Sequence, residues 1–127
     1  MLVFLDLPPA LAQQRELAND TLYVASLVLT TDIVSREPVD TVRGFTTDQE
    51  HAYCHVRMFN TYNLREITFR WLLNGQEYYT MGAKISRSPR WRTFSSVKPV
   101  PGAWTVQVLD ENGAVLKQRN FMVEASR

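Results

Sequence analysis

A chain of 127 residues, 45% hydrophobic and 21% charged, is long enough to bury one core without disulfides or metals and too apolar for a disordered tail. Its 14 Lys and Arg against 13 Asp and Glu leave a formal charge of +1. No overall field gathers polyanions, so nucleic acid is not expected as a partner. The single cysteine, Cys54, forms no intrachain disulfide and points to neither redox compartment.

Residues 1–21 read as an N-terminal extension. A short apolar run in MLVFLDLPPALAQQ is followed by Ala10-Leu11-Ala12, the small-x-small pattern that a signal peptidase reads. No basic residue precedes the run, Asp6 interrupts it, and it is too short to cross a membrane as a helix. Two readings stay open: a clipped export signal, or a short amphipathic helix from Pro9 with Leu11 and Leu17 on its buried side. Left uncleaved, the segment offers Leu2, Phe4, Leu5 and Leu7 for docking on a partner or a membrane surface.

From Leu22 the apolar pattern takes the period of strands, and residues 22–127 are expected as one β-sandwich domain. LYVASLVLTTDIV, residues 22–34, is β-branched and makes a first, bent strand. REPVDTVRGFTTDQE, residues 36–50, has the composition of a loop or of a short edge strand limited by Pro38. AYCHVRMF, EITFRWLL and QEYYTMGAKI follow, the last two joined by Asn74-Gly75, the strongest short hairpin signal. RSPRWRTFSSV comes next, with Pro89 placed ahead of the strand, and KPVPG is a turn. AWTVQVLD and AVLKQRNFMV close the chain around Glu111-Asn112-Gly113. About seven strands with regular turn signals and no long helical pattern predict an all-β, antiparallel, immunoglobulin-like sandwich.

Alternation assigns the faces. Ile67, Phe69, Trp71 and Leu73 share one face of their strand, and Trp104, Val106 and Val108 align likewise, so Trp71 and Trp104 are expected as core anchors. Trp91, among Arg87, Arg90 and Arg92, is expected to be partly exposed. HAYCHVRM, residues 51–58, holds both histidines and the cysteine, but alternation divides it. Ala52, Cys54, Val56 and Met58 point inward, while His51, Tyr53, His55, Arg57 and Phe59 point the other way. The two histidines stand roughly 13 Å apart along the strand, too far to share one metal ion. Cys54 and His55 point apart, so they form no nucleophile–base pair. No glycine-rich phosphate loop, CxxC or nucleophile elbow occurs, and no catalytic residue, metal or cofactor is expected.

From about Leu29 to Val123 the chain resembles a bacterial family known as domain of unknown function 2914. The matching stretches, in order, are SREPVD at 35–40, FRW at 69–71 before the NG turn, WRTFSS at 91–96, PGAWTVQVLDENGAVL at 101–116, and Phe121. The resemblance implies an immunoglobulin-like module of the kind that often follows membrane-anchoring or low-complexity segments in envelope proteins, and it implies no activity. Roughly 20 residues precede the domain here, where relatives can carry a long N-terminal region, so a function of that region is not carried over. Physical roles for the motif residues are those of the fold. Trp71 and Trp104 pack between sheets, Gly102 and Gly113 permit turns, Phe121 closes the core, and Arg92 pairs with Asp40 or Glu37.

Three functions are open on this sequence. The first is a non-catalytic protein-interaction module of the bacterial cell envelope, periplasmic or envelope-associated, acting as an accessory subunit through exposed edges. The second is a carbohydrate-binding module whose platform is drawn from Trp91, Tyr78, Tyr79 and Tyr62, with Arg90 and Gln76 beside it. A hydrolase, which needs a paired acid and base, is the third. The candidate binding surface is Arg87, Arg90, Trp91, Arg92, Tyr78 and Tyr79, and arginine forks in RSPRWR suit a phosphate or carboxylate.

Overall fold

Residues of alternating burial make the first strand, β1 (Leu22–Thr30), in the computed structural model, which describes residues 22–127. The docking segment with Leu2, Phe4, Leu5 and Leu7, and the alternative amphipathic helix, lie outside the described residues. After β1 come three short pieces, β2 (Ile33–Val34), β3 (Glu37–Pro38) and β4 (Gly44–Thr46), in the stretch whose proline and scattered charge limit pairing. The long strands β5 (Ala52–Asn60), β6 (Arg65–Leu73), β7 (Gln76–Ile85), β8 (Ser88–Val97), β9 (Gly102–Leu109) and β10 (Val115–Glu124) complete the domain. With β1 these make the expected seven.

Two sheets face each other. The smaller has the order β1-β5-β8 and the larger β4-β10-β9-β6-β7, while β2 and β3 pair only with each other. Every strand pairing is antiparallel except β4 beside β10. The fold is an immunoglobulin-like β-sandwich. Ala52, Cys54, Val56 and Met58 of β5 are wholly buried, and so are Ile67, Phe69 and Trp71 of β6 and Val106 and Val108 of β9. They form one apolar cluster. Burial pushes the Cys54 thiol up, so it stays protonated and behaves as a small hydrophobe.

The aromatic centre of that cluster has defined geometry. Trp71 meets Trp104 and Phe121 edge-on at 6.3 and 6.2 Å between ring centroids, and Phe121 stacks on Trp104 at 5.9 Å. Both indole N–H groups are satisfied: Trp71 Nε1 donates to Ser95 Oγ across the sandwich at 3.0 Å, and Trp104 Nε1 to the Val100 carbonyl at 2.7 Å. Removing such a ring costs about 3–5 kcal/mol.

Turn chemistry sets the register. Asn74 and Gly75 both have positive φ, 52° and 83°, which is the twist a two-residue hairpin needs. Asn74 Oδ1 also accepts the Ala103 amide at 3.0 Å, tying this hairpin to the start of β9. At the far end Arg65 grips Glu111 with Nε and Nη2 at 2.7 and 3.0 Å, and this grip holds the Glu111 carboxyl down at about 2. Pro89 stands inside β8 rather than ahead of it. The pairs Met58↔Trp91 and Asn60↔Ser88 leave Pro89 and Arg90 opposite Phe59 alone. This is a bulge, and a residue there needs no ladder N–H.

Gly102 and Gly113 carry φ of 146° and 83°, but a Cβ on Gly102 comes within 2.7 Å of Leu73 Cδ1 whereas one on Gly113 meets open space. Gly102→Ala therefore adds a clash to the backbone penalty, which alone is about 1–2 kcal/mol. Urea unfolding is expected to show Gly102→Ala losing clearly more stability than Gly113→Ala. Equal losses contradict this packing.

Candidate functional site

Alternation sends Tyr53, His55, Arg57 and Phe59 of β5 to the face of the smaller sheet that turns away from the core. His55 is nevertheless only 2% exposed, because the β2–β3 hairpin lies over it. Its Nε2 is 2.8 Å from the Arg36 carbonyl, which can only accept, so Nε2 carries the proton. Nδ1 is then a bare acceptor, buried with no hydrogen-bond partner. Ser35 and Arg36, the two turn residues of this hairpin, have positive φ of 52° and 67° without being glycine. That conformation is costly for side chains outside Gly, Asn and Asp, and the surrounding contacts maintain it. Asp40 anchors the following segment: its carboxylate accepts from Thr31 Oγ1 at 2.6 Å and from Thr30 Oγ1 at 2.7 Å, which lowers its pKa.

The hairpin carries Glu37 to Arg92, where the two form an ion pair. Of the two partners open to Arg92 on sequence grounds, the structure selects Glu37. The Arg92 guanidinium holds the exposed Glu37 carboxyl below its usual value. Arg92 stands directly opposite Arg57 in the β5–β8 ladder. A groove of about 550 Å³ results, lined by Glu37, Arg57, Ser88, Pro89, Arg90 and Arg92. Alternation alone puts Arg57 on this face, but only the β5–β8 register shows that it meets Arg92.

The six residues of the candidate binding surface fall into separate places. Arg90 and Arg92 line the groove. Arg87 is turned aside, its Nε donating to the Thr61 carbonyl at 3.1 Å. Trp91 is half-buried against the core, opposite Met58. Tyr78 and Tyr79 lie near the other end of β7, roughly 20 Å of strand from Ile85 and the start of β8. Trp91 therefore does not stand beside Tyr78 and Tyr79, while Tyr62, the fourth aromatic of the expected platform, is exposed between β5 and β6.

Tyr78 and Tyr79 belong to a second feature, the outer edge of the larger sheet. Tyr78 occupies a bulge opposite Trp71 and Leu72, and its ring meets Trp104 at 4.9 Å. Tyr79, Met81 and Ala83 are paired with the buried Trp71, Phe69 and Ile67, so they lie on the core-facing side, yet none of the three is buried. Among the described residues the other edges are at least partly protected. β1 is bridged by Val42 and receives Arg119 Nη2 on the Leu27 carbonyl at 3.0 Å, β4 is only three residues long, and β8 carries Pro89 and two arginines.

Among the described residues no three His, Cys, Asp or Glu side chains gather as a metal site, and no helix is long and apolar enough to cross a membrane. Residues 65–123 match the model of the family described as protein of unknown function (DUF2914). That span runs from β6 to β10 and includes FRW, WRTFSS and the PGAWTVQVLDENGAVL stretch. No curated protein matches the sequence. Among solved structures, a CARDB domain from Pyrococcus furiosus, determined in complex with di-metal ions, is similar. It is 14% identical, with 82% of this chain and 96% of that one covered and a TM-score of 0.44.

His55→Phe keeps a ring under the hairpin but leaves the Arg36 carbonyl without its donor. Stability is expected to fall by about 1–2 kcal/mol, with amide exchange at residues 33–38 rising more than in β6. Unchanged exchange in the hairpin contradicts the pinning role.

Proposed function

We propose that this domain is a non-catalytic protein-interaction module of the bacterial cell envelope, an accessory subunit that takes an extended segment of a partner protein along β7. The observation that carries the reading is the state of that edge. β7 has ten residues, Gln76 to Thr80 are all exposed, and the core-facing Tyr79 is 43% exposed. An unprotected strand edge with apolar side chains beside it supports β-augmentation, in which backbone hydrogen bonds give affinity and alternate side chains give specificity. Glu77 and Lys84 are the only charges on the strand, one near each end.

Absence of catalysis is supported by where the shifted groups find their partners. Glu111 is held by Arg65, Asp40 by Thr31 and Thr30, Glu37 by Arg92, and Cys54 is sealed in the core. Each shift has a structural cause, and Glu37, which lines the groove, is paired with an arginine rather than with a second acid or a base of ordinary pKa. The envelope assignment draws on Ala10-Leu11-Ala12 and on the family resemblance.

A photo-crosslinking residue at position Thr80, in C-terminally tagged protein expressed in the source bacterium, tests the reading. One stoichiometric envelope protein is expected in the crosslink. Tyr79→Lys, which puts a charge on the docking side, abolishes it while the thermal midpoint stays within a few degrees. A crosslink indifferent to Tyr79→Lys, or a protein recovered alone, contradicts the proposal.

A further inference from the structure

The groove on the outer face of the smaller sheet has a charge imbalance that the fold itself does not use. Arg57 and Arg92 are directly cross-strand, an arrangement of like charges that destabilises the pairing unless an anion intervenes. Glu37 intervenes for Arg92. Among the described residues, the side chains of Arg57 and Arg90 make no hydrogen bond or ion pair, and three guanidiniums against one carboxylate leave two positive charges in the groove. The whole chain carries only +1, so this charge is concentrated here.

What the groove already holds indicates the ligand chemistry. Its internal occupant is a carboxylate, delivered on a strand piece whose preceding turn is held in a strained conformation by His55. Arg90 lies two residues from Arg92 and is therefore the diagonal neighbour of Arg57, about 7–8 Å away, close to the ~6.5–7 Å between alternate side chains on an extended peptide. A planar guanidinium fork matches a carboxylate with two parallel hydrogen bonds.

We propose that this groove binds an extended acidic peptide segment with carboxylates at alternate positions, gripped by Arg57 and Arg90, while Glu37 occupies Arg92 and competes for the site. The ligand is a protein segment rather than a nucleic acid. None of the described residues lining the groove is aromatic, so they offer no surface on which bases stack. The site is separate from the β7 edge, and either can fail without the other.

The test is an NMR titration of the 15N-labelled chain with the blocked peptide acetyl-Glu-Thr-Glu-amide, at constant ionic strength. Saturable shifts are expected at the Arg57 and Arg90 Nε–H groups, with none from acetyl-Gln-Thr-Gln-amide. Arg57→Gln and Arg90→Gln should each raise Kd about fivefold, and Glu37→Gln should lower it by about the same factor. All three positions line an open groove, so the variants fold, and Tyr79→Lys run alongside separates this site from the docking edge. Equal shifts with the Gln peptide, or a Kd indifferent to the arginine variants, overturn the proposal. So does inorganic phosphate saturating the same residues more tightly than the peptide, which reassigns the groove to phosphate groups.

Discussion

Packing a five-stranded sheet on a three-stranded one is the constraint from which the other features of this domain follow. The two inner faces match at β5, β6 and β9, whose inward residues are wholly buried and whose centre is Trp71, Trp104 and Phe121. Two strands of the larger sheet have no counterpart, a difference in width of about 10 Å. On one side the overhang is β4, three residues long and closed by Phe45 set edge-on against Phe121. On the other it is β7, and burial along that strand grades from exposed Tyr79, through Met81 and Ala83 packed on the core, to buried Ile85 as it approaches the turn into β8. Among the described residues the mismatch leaves this edge without a covering partner.

The smaller sheet meets the opposite problem, since three strands covered on one side by the core leave a second face in water. The chain covers part of that face with its own β2–β3 hairpin, pinned through His55 and Arg36 and anchored by Asp40 on Thr30 and Thr31. Covering His55 brings Glu37 to Arg92 as a consequence of the same placement. Arg57 and Arg90 line the groove beside the hairpin's Glu37 without an ion pair to it, and so the boundary between covered and open surface coincides with the arginine groove.

How much of this was legible in the sequence depends on the range of the interaction. Period-two alternation located Cys54, Trp71 and Trp104 in the core, and Asn74-Gly75 marked its hairpin, because those signals are local. The Pro89 prediction failed for a local reason that hid a non-local one. A proline is tolerated in β8 because a bulge opposite Phe59 asks nothing of its nitrogen, and the bulge is a property of the pair. Alternation sends His55 to the outward face, where it lies, but its burial depends on a hairpin that returns from residues 33–38. Nothing local marks Arg57 as a binding residue, because its meeting with Arg92 requires the β5–β8 register. Tyr78 and Tyr79 were grouped with Trp91 on residue type, and the length of β7 separates them.

The most direct test of the claim that β7 is an open, overhanging edge is amide hydrogen exchange on the free protein in solution. The alternate β7 amides pointing away from β6, between Tyr79 and Lys84, are expected to exchange without global unfolding, while Phe69, Trp71 and Val106 exchange only through it. Protection along all of β7 equal to that of β6 shows the edge already covered in the free protein, and contradicts the account.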